Sequence, residues 1–451
     1  MAHNFNRAEI LQHLKFDSTP ELWQNGWDIS EESFSEAALS FIESVYVRRQ
    51  CDILELDDEL ADALVAGVSL FARQPALKRL LWHCHIVLFK QPDLLDDTIW
   101  QWPSIPKALD EAAPLFYIYV CLSNLPTILA QHQQRDIPYA VSVDTLRDLQ
   151  LHIKRYREAE GVWGLYSVAW LRYSFVGKLY KLGRLQFEMA QNHYQFPVYR
   201  NQQTGQVIAL AGDGMQFRQD GYQDGVNHIT DSAAWVATYR ETETGICGNP
   251  VHPRGYALNQ MIELAHNEWQ LILKPDDTVL GVHIPATGPM YFAECGESFA
   301  RALPFFARHF PEFSAQAFTC TSWLLDDQFT NLLPPTSNIV RFLQCWYLLP
   351  LSYSSDAGVL GRVFGAAANA ELDTLPRRTS LQRAVVNHMK HGGHWRGTGG
   401  VIIPDDQLRW GNQSYRHNFM LEDERVSVDH NRWHYCPLRD QTAPHPRGTR
   451  F

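Results

Sequence analysis

Three side chains in this sequence are of types that move protons. Glu188 stands in LGRLQFE, His283 in VLGVHIPATGPM and Ser322 in TCTSWLLD. A carboxylate can accept a proton or orient a cationic group, an imidazole can relay a proton near neutral pH, and a hydroxyl can donate to developing negative charge. Each has a plainer alternative: Glu188 paired with Arg184, His283 as a hydrogen-bonded core histidine, Ser322 satisfied by neighbouring backbone. Directly after His283 the run IPATGPM places Pro285 where it interrupts a strand ladder. The backbone N–H groups of Ile284, Ala286, Thr287 and Gly288 are therefore candidates for polarising a carbonyl, and Met290 leads into a helix whose N-terminus can hold an anion such as pyrophosphate.

The elements that must position these groups are legible on either side. Val279, Val282 and Ile284 are strand formers, and Pro285, Gly288 and Pro289 are turn residues. Phe299, Leu303, Phe306 and Phe310 recur at i, i+4, i+7 and i+11, one face of a helix that Pro311 ends. Residues 317–325 form a second apolar run, so the unit reads as a right-handed βαβ crossover with parallel strands. Upstream, Leu185, Phe187 and Met189 alternate with Arg184, Gln186 and Glu188, the period of a half-buried strand.

Residues 1–145 read as an all-helical domain. Ser33 with Glu36 makes a capping box, Leu60, Leu64, Val68 and Phe71 give an apolar stripe, and residues 78–89 and 113–130 are further helices. Asp144 is a candidate N-cap for a helix reaching Gly183. Residues 198–274 hold short strands between turns and predict antiparallel hairpins, residues 327–392 read as mostly helical, and GGHWRGTGG closes the domain. The domains expected are 1–145, 146–402 and a C-terminal extension, 403–451, lying across the second.

The chain has 451 residues, 45% apolar and 12% aromatic, enough for two packed cores. A net charge of −11 disfavours nucleic acid or an anionic membrane as partner. Eight cysteines are scattered singly, which predicts reduced thiols and a cytoplasmic setting. No N-terminal signal pattern is visible, and no apolar run is read as approaching the roughly 20 residues of a membrane span. His83 and His85 flank Cys84 at i, i+2 and point apart on a helix; His388, His391 and His394 recur at three-residue spacing around the end of a helix that Gly392 and Gly393 close. No metal site is expected.

The runs LGRLQFE, VHIPATGPM, TSWLLD, LPPTSNIVRF and TSLQRAVVNHMKHGGHWRGTGG resemble those of bacterial acyltransferase-domain proteins, over roughly residues 20–402. That family pairs a helical N-acyltransferase N-terminal domain with a GNAT-like C-terminal domain. The resemblance implies a multi-domain α/β fold, an all-helical domain followed by a mixed α/β domain in which the strand ending at Ile284 and the strand after residue 317 splay apart. An acyl-CoA thioester would lie in the notch and its pyrophosphate at the helix start after ATGPM.

Under that resemblance the expected activity is N-acyl transfer from acetyl-CoA or another acyl-CoA to an amine of a small molecule or peptide, by direct attack without a covalent enzyme intermediate. Such a reaction needs a base, oxyanion donors and an acid for the thiolate. Glu188, His283 and Ser322 are the expected catalytic residues, Ile284, Ala286, Thr287, Gly288 and Met290 the expected cofactor contacts, and Tyr347 or Tyr353 the expected thiolate acid. The alternative is a GNAT-like scaffold without catalysis, serving as a ligand-binding or interaction module. The loop has a single glycine, and Glu294 and Glu297 stand in the first helical turn, where carboxylates repel phosphate.

Overall fold

The structure, a computed structural model, describes residues 5–94, 97–352, 356–404 and 410–419. Tyr353 and most of the C-terminal extension lie outside the described residues. The chain divides into two units. One comprises Met1–Met189, His283–Pro289 and Glu297–Phe313, the other Ala190–Val282, Met290–Gly296 and Ser314–Phe451.

The first unit is helical at its centre. Helix α1, Phe116–Gln134, is buried along most of its length among Leu64, Leu80, Leu149 and Phe175. Pro126 lies inside it and removes one backbone donor, and the Tyr46 hydroxyl donates to the Leu122 carbonyl at 2.9 Å in its place. Contrary to the sequence reading, the segment Ala113–Gln134 is long and apolar enough to cross a membrane by length and composition, and 78% of its most apolar stretch is buried within the protein.

Two local expectations change. Ser33 ends the helix Trp27–Glu32, its Oγ donating to the Ile29 carbonyl at 2.7 Å, instead of starting the next helix. The single helix expected from Asp144 to Gly183 is several pieces. Asp144 lies inside Tyr139–Leu146 and pairs with Lys181 at 2.8 Å. Helix α2 spans Asp148–Glu160 and stops at Gly161, whose φ of 73° is left-handed and open to glycine at little cost. After a loop and the turn Arg172–Phe175, strand β1, Leu179–Leu182, pairs antiparallel with β2, Leu185–Gln191, and Gly183 belongs to their turn.

The second unit carries the hairpins the turn chemistry predicted. Tyr256–Ala257, Pro250–His252, Val207–Leu210, Val198–Asn201 and Trp269–Leu273 form an antiparallel sheet in that spatial order. The crossover is also present. Strand β3, Thr278–His283, runs into helix α3, Phe292–His309, and pairs parallel with β4, Ala317–Thr321.

β4 is shorter than expected, because Trp323–Leu325 turns as a 3-10 helix. Besides β1, which falls in the segment expected as helix, the sequence reading missed β5, Tyr347–Pro350, in a stretch expected to be helical, and β6, Thr398–Ile402, in the glycine cluster. β6 pairs antiparallel with both β4 and β5. Its glycines are needed for space: a Cβ at Gly399 would lie 2.8 Å from the Tyr194 hydroxyl and one at Gly400 3.1 Å from the Trp346 side chain. Part of the extension is fixed here too, with the Trp410 indole donating to the Phe292 carbonyl at 2.9 Å.

Candidate active site

β2 brings Glu188 and the last residue of β3 brings His283 into the first unit. Their side chains meet, His283 Nε2 lying 2.8 Å from Glu188 Oε2. The pair is partly shielded, with side-chain exposures of 33% and 17%. A carboxylate accepting at Nε2 fixes the proton on that nitrogen and leaves Nδ1 with its lone pair. Among the described residues nothing hydrogen-bonds to Nδ1. An imidazole held by a carboxylate, with its other nitrogen open, is the arrangement of a general base.

The imidazole is also held from the side. Trp170 meets His283 edge to face, ring centroids 4.7 Å apart and planes at 70°. The Trp170 indole donates to Asp148 Oδ2 at 3.2 Å, and His152 lies 3.4 Å from the same oxygen. Burial works to raise the Asp148 pKa, but the His152 and Trp170 hydrogen bonds outweigh it and hold the carboxyl below its ordinary value. Asp148, Trp170, His283 and Glu188 thus form a chain of contacts in which each fixes the next. Trp170 and Asp148 were not singled out from the sequence, since a tryptophan in an aromatic stretch and an aspartate at a helix start carry no spacing signal.

Arg184 does not pair with Glu188. Its guanidinium donates to three carbonyls of the following loop: Pro285 at 2.9 Å through Nη1, Gly288 at 3.0 Å through Nη2 and Pro289 at 3.0 Å through Nε. The fork geometry of arginine suits three converging acceptors. Ser298 of α3 ties down the hairpin turn, its Oγ accepting from the Arg184 N–H at 2.9 Å and the Leu185 N–H at 3.3 Å. With the carbonyls turned to Arg184, the N–H groups of Ala286, Thr287 and Gly288 donate to no protein group among the described residues. All three residues are exposed, and Gly288 has a φ of 127°, which L side chains rarely adopt. The loop is a clamped backbone with its donors outward.

Of the other expected site residues, Ile284 lies in the first unit, half-buried beside His283, and Ser322, Met290 and Tyr347 lie in the second. Ser322 follows β4 and caps the turn Trp323–Leu325, its Oγ accepting from the Leu324 N–H at 3.2 Å. Met290 is half-buried ahead of α3. The first amide of that helix, Phe292, donates to Asn338 Oδ1 at 3.3 Å, and Glu297 pairs with Arg301 at 3.5 Å. The Tyr347 hydroxyl is buried, donates to the Val251 carbonyl and accepts the Ala209 N–H at 3.1 Å. Burial pushes its pKa well up, so Tyr347 holds strands together and is enclosed away from any substrate. Tyr353 is outside the described residues.

The β3–β4 ladder is short. It pairs Val279, Leu280 and Gly281 with Ala317, Phe318 and Thr319 and, among the described residues, stops there although β4 continues to Thr321.

The histidine clusters disperse. His83 Nδ1 meets Ser30 at 2.9 Å and His85 Nδ1 meets Ser123 at 2.8 Å, while His394 Nδ1 pairs with Asp356 at 2.7 Å.

Against known families, the model of an N-acyltransferase N-terminal domain matches residues 46–177 and that of a GNAT-like C-terminal domain matches residues 179–402. The chain belongs to the acyltransferase family that joins these two domains. No curated protein matches the chain. Among solved structures, an acyltransferase in complex with decanoyl-CoA is 25% identical, with 89% of this chain and 100% of that chain covered and a TM-score of 0.59. An acyltransferase in complex with decanoyl-CoA and teicoplanin is 26% identical over 80% of this chain and 89% of its own, with a TM-score of 0.57. A mutant acyltransferase in complex with octanoyl-CoA is 26% identical, covering 79% and 88%, with a TM-score of 0.56. The helical first domain and mixed-sheet second domain of this acyltransferase agree with the fold its sequence implied.

Proposed function

We propose that this acyltransferase moves an acyl group from acyl-CoA directly to an amine, with His283 as the base and Glu188 as the group that orients it. The observation that carries the reading is the 2.8 Å hydrogen bond between His283 Nε2 and Glu188 Oε2, with Nδ1 left open. An amine nitrogen attacks the thioester carbon while Nδ1 takes its proton. The C–S bond then breaks with its electron pair on sulfur, and the proton passes to the departing thiolate. Glu188 stabilises the imidazolium formed in between, and the outward amides of Ala286, Thr287 and Gly288 are the donors we assign to the acyl-CoA.

Acetyl-CoA was the donor expected from the sequence. The related acyltransferases are held with octanoyl- and decanoyl-CoA, which favours a longer chain for this one. Teicoplanin in one related complex favours a bulky peptide-like acceptor. We place the reaction in the cytoplasm, consistent with free thiols at Cys51, Cys84, Cys121, Cys247, Cys295, Cys320 and Cys345.

Calorimetric titration with decanoyl-CoA, acetyl-CoA and CoA, followed by an amine panel that includes a teicoplanin-type glycopeptide with free thiol as readout, tests the proposal. Micromolar binding of decanoyl-CoA with amine-dependent thiol release supports it. Binding without thiol release for any amine favours the non-catalytic scaffold, and no binding of any CoA species refutes the donor.

A further inference from the structure

A second site is built into the second unit, apart from the residues assigned to acyl transfer. A pocket of about 210 Å³ is lined by Arg218, Tyr222, Gln328, His394, Trp395 and Arg396, with Asp220 and Asn227 at its wall. At roughly 30 Å³ per water this is room for about seven waters, enough for a phosphate or carboxylate with a few attached atoms.

Its lining is rich in donors with nothing to bind. Trp395 is fully buried and backs the lining, and its indole Nε1 has no hydrogen-bond partner among the described residues. Arg218 meets Asp220 through Nε at 3.2 Å and Nη2 at 2.9 Å, and its Nη1 has no partner among the described residues. Arg396 donates through Nη1 to the Tyr222 hydroxyl at 2.5 Å and lies over the Tyr222 ring, its Cζ 3.8 Å from the centroid. Its Nε and Nη2 have no partner among the described residues. Two guanidiniums and the Asp220 carboxylate line the pocket, with Asp326 behind Arg396 accepting its backbone N–H at 2.8 Å and Asp356 paired with His394.

The wall is held at a conformational cost. Asn227 and His228 both have positive φ, 54° and 61°, which side-chain-bearing residues seldom adopt. The strained Asn227 donates to the Trp395 carbonyl and accepts the Asp356 N–H at 3.2 Å, and Asp356 in turn receives the Trp395 N–H at 2.6 Å. The Gln328 amide donates to Asp326 and to the His394 carbonyl, both at 2.9 Å. Trp395 and Arg396 are therefore fixed from both sides, as a preorganised site requires.

We infer that this pocket binds an oxyanion, a phosphate or carboxylate group, between the guanidiniums of Arg218 and Arg396. The anion belongs either to CoA or to another ligand of the enzyme.

Inorganic phosphate and acetate, titrated by calorimetry into the whole protein at low ionic strength, test the inference directly. The result expected is one site with millimolar or tighter affinity, weakened at least tenfold in Arg218→Gln. Arg218 is the safe choice, since the Asp220 it leaves is 45% exposed and can turn to solvent. Arg218→Lys, which keeps the charge and loses the fork, should fall between the two and covers any folding failure of the first variant.

Repeating the titration with CoA and with 3′-dephospho-CoA separates the sources. Weakening by Arg218→Gln of CoA alone identifies the 3′-phosphate. Weakening of phosphate or acetate with both CoA species unaffected identifies another ligand. No binding of either small anion to the unsubstituted protein, or equal binding by both variants, overturns the inference.

Discussion

His283 Nε2 and Glu188 Oε2 lie 2.8 Å apart, although 95 residues of chain separate them. Read singly from the sequence, each was a candidate with an ordinary explanation. Of the ordinary explanations, the pairing of Glu188 with Arg184 is not seen, while His283 is hydrogen-bonded with its second ring nitrogen open.

Glu188→Gln separates orientation from charge. Glutamine can still accept at Nε2 but does not stabilise an imidazolium. We expect kcat to fall roughly 10- to 10²-fold with acyl-CoA affinity unchanged, a smaller loss than removal of the base itself. Single-turnover kinetics together with calorimetry check this, and loss of binding instead of rate would reassign Glu188 to the donor site.

Arg184→Ala releases three carbonyls that hold the loop after His283. Binding of acyl-CoA should weaken about tenfold, equivalent to about 1.4 kcal/mol, because outward amides must then be ordered by the ligand. Arg184→Lys should recover only part of it, since one ammonium cannot serve all three acceptors in the same geometry. Isothermal titration with CoA distinguishes the three proteins.

Tyr347→Phe should destabilise the second domain by about 1–3 kcal/mol, because the Ala209 N–H and Val251 carbonyl lose their partner. The rate of acyl transfer at a temperature where the variant is folded should stay within twofold of the parent. A large fall in kcat with intact folding would return Tyr347 to the role of thiolate acid.

Acid should destabilise the helical domain. Burial pushes the pKa of His83 down to about 3 and those of His85 and His132 to about 4. Their ordinary value is about 6.5, so between pH 6.5 and 4 the unfolded chain binds protons that the folded chain refuses. Stability is then full above pH 6.5 and declines as pH falls through that window, by at most about 1.4 kcal/mol per unit for each histidine. Urea midpoints at pH 7.5 and 5.0 measure it. His132 has neither ring nitrogen paired among the described residues, so His132→Phe should flatten the pH dependence without loss of stability at pH 7.5.

How much of this was legible depended on whether the signal was local. The β3–α3–β4 crossover followed from strand formers, a proline-glycine loop and a helical stripe, all within one stretch of chain. The hairpins of residues 198–274 followed from turn residues. Strands β5 and β6 did not, because FLQCWYLL has no period that separates a buried strand from a buried helix, and the Gly399–Gly400 pair imitates a loop until the Tyr194 and Trp346 side chains above it are known. Glu188 and His283 were legible as residue types. Their union, the clamp by Arg184 and the support from Trp170 and Asp148 were not, because each depends on contacts between segments far apart in sequence.

The central claim is that His283 is the base of acyl transfer. It is tested most directly by comparing the parent with His283→Ala under single-turnover conditions, using decanoyl-CoA, the best amine from the acceptor panel and release of free thiol as the signal. The account predicts a loss of roughly 10²–10⁴-fold in the rate of transfer with the Kd for decanoyl-CoA unchanged. Full activity in His283→Ala would contradict it.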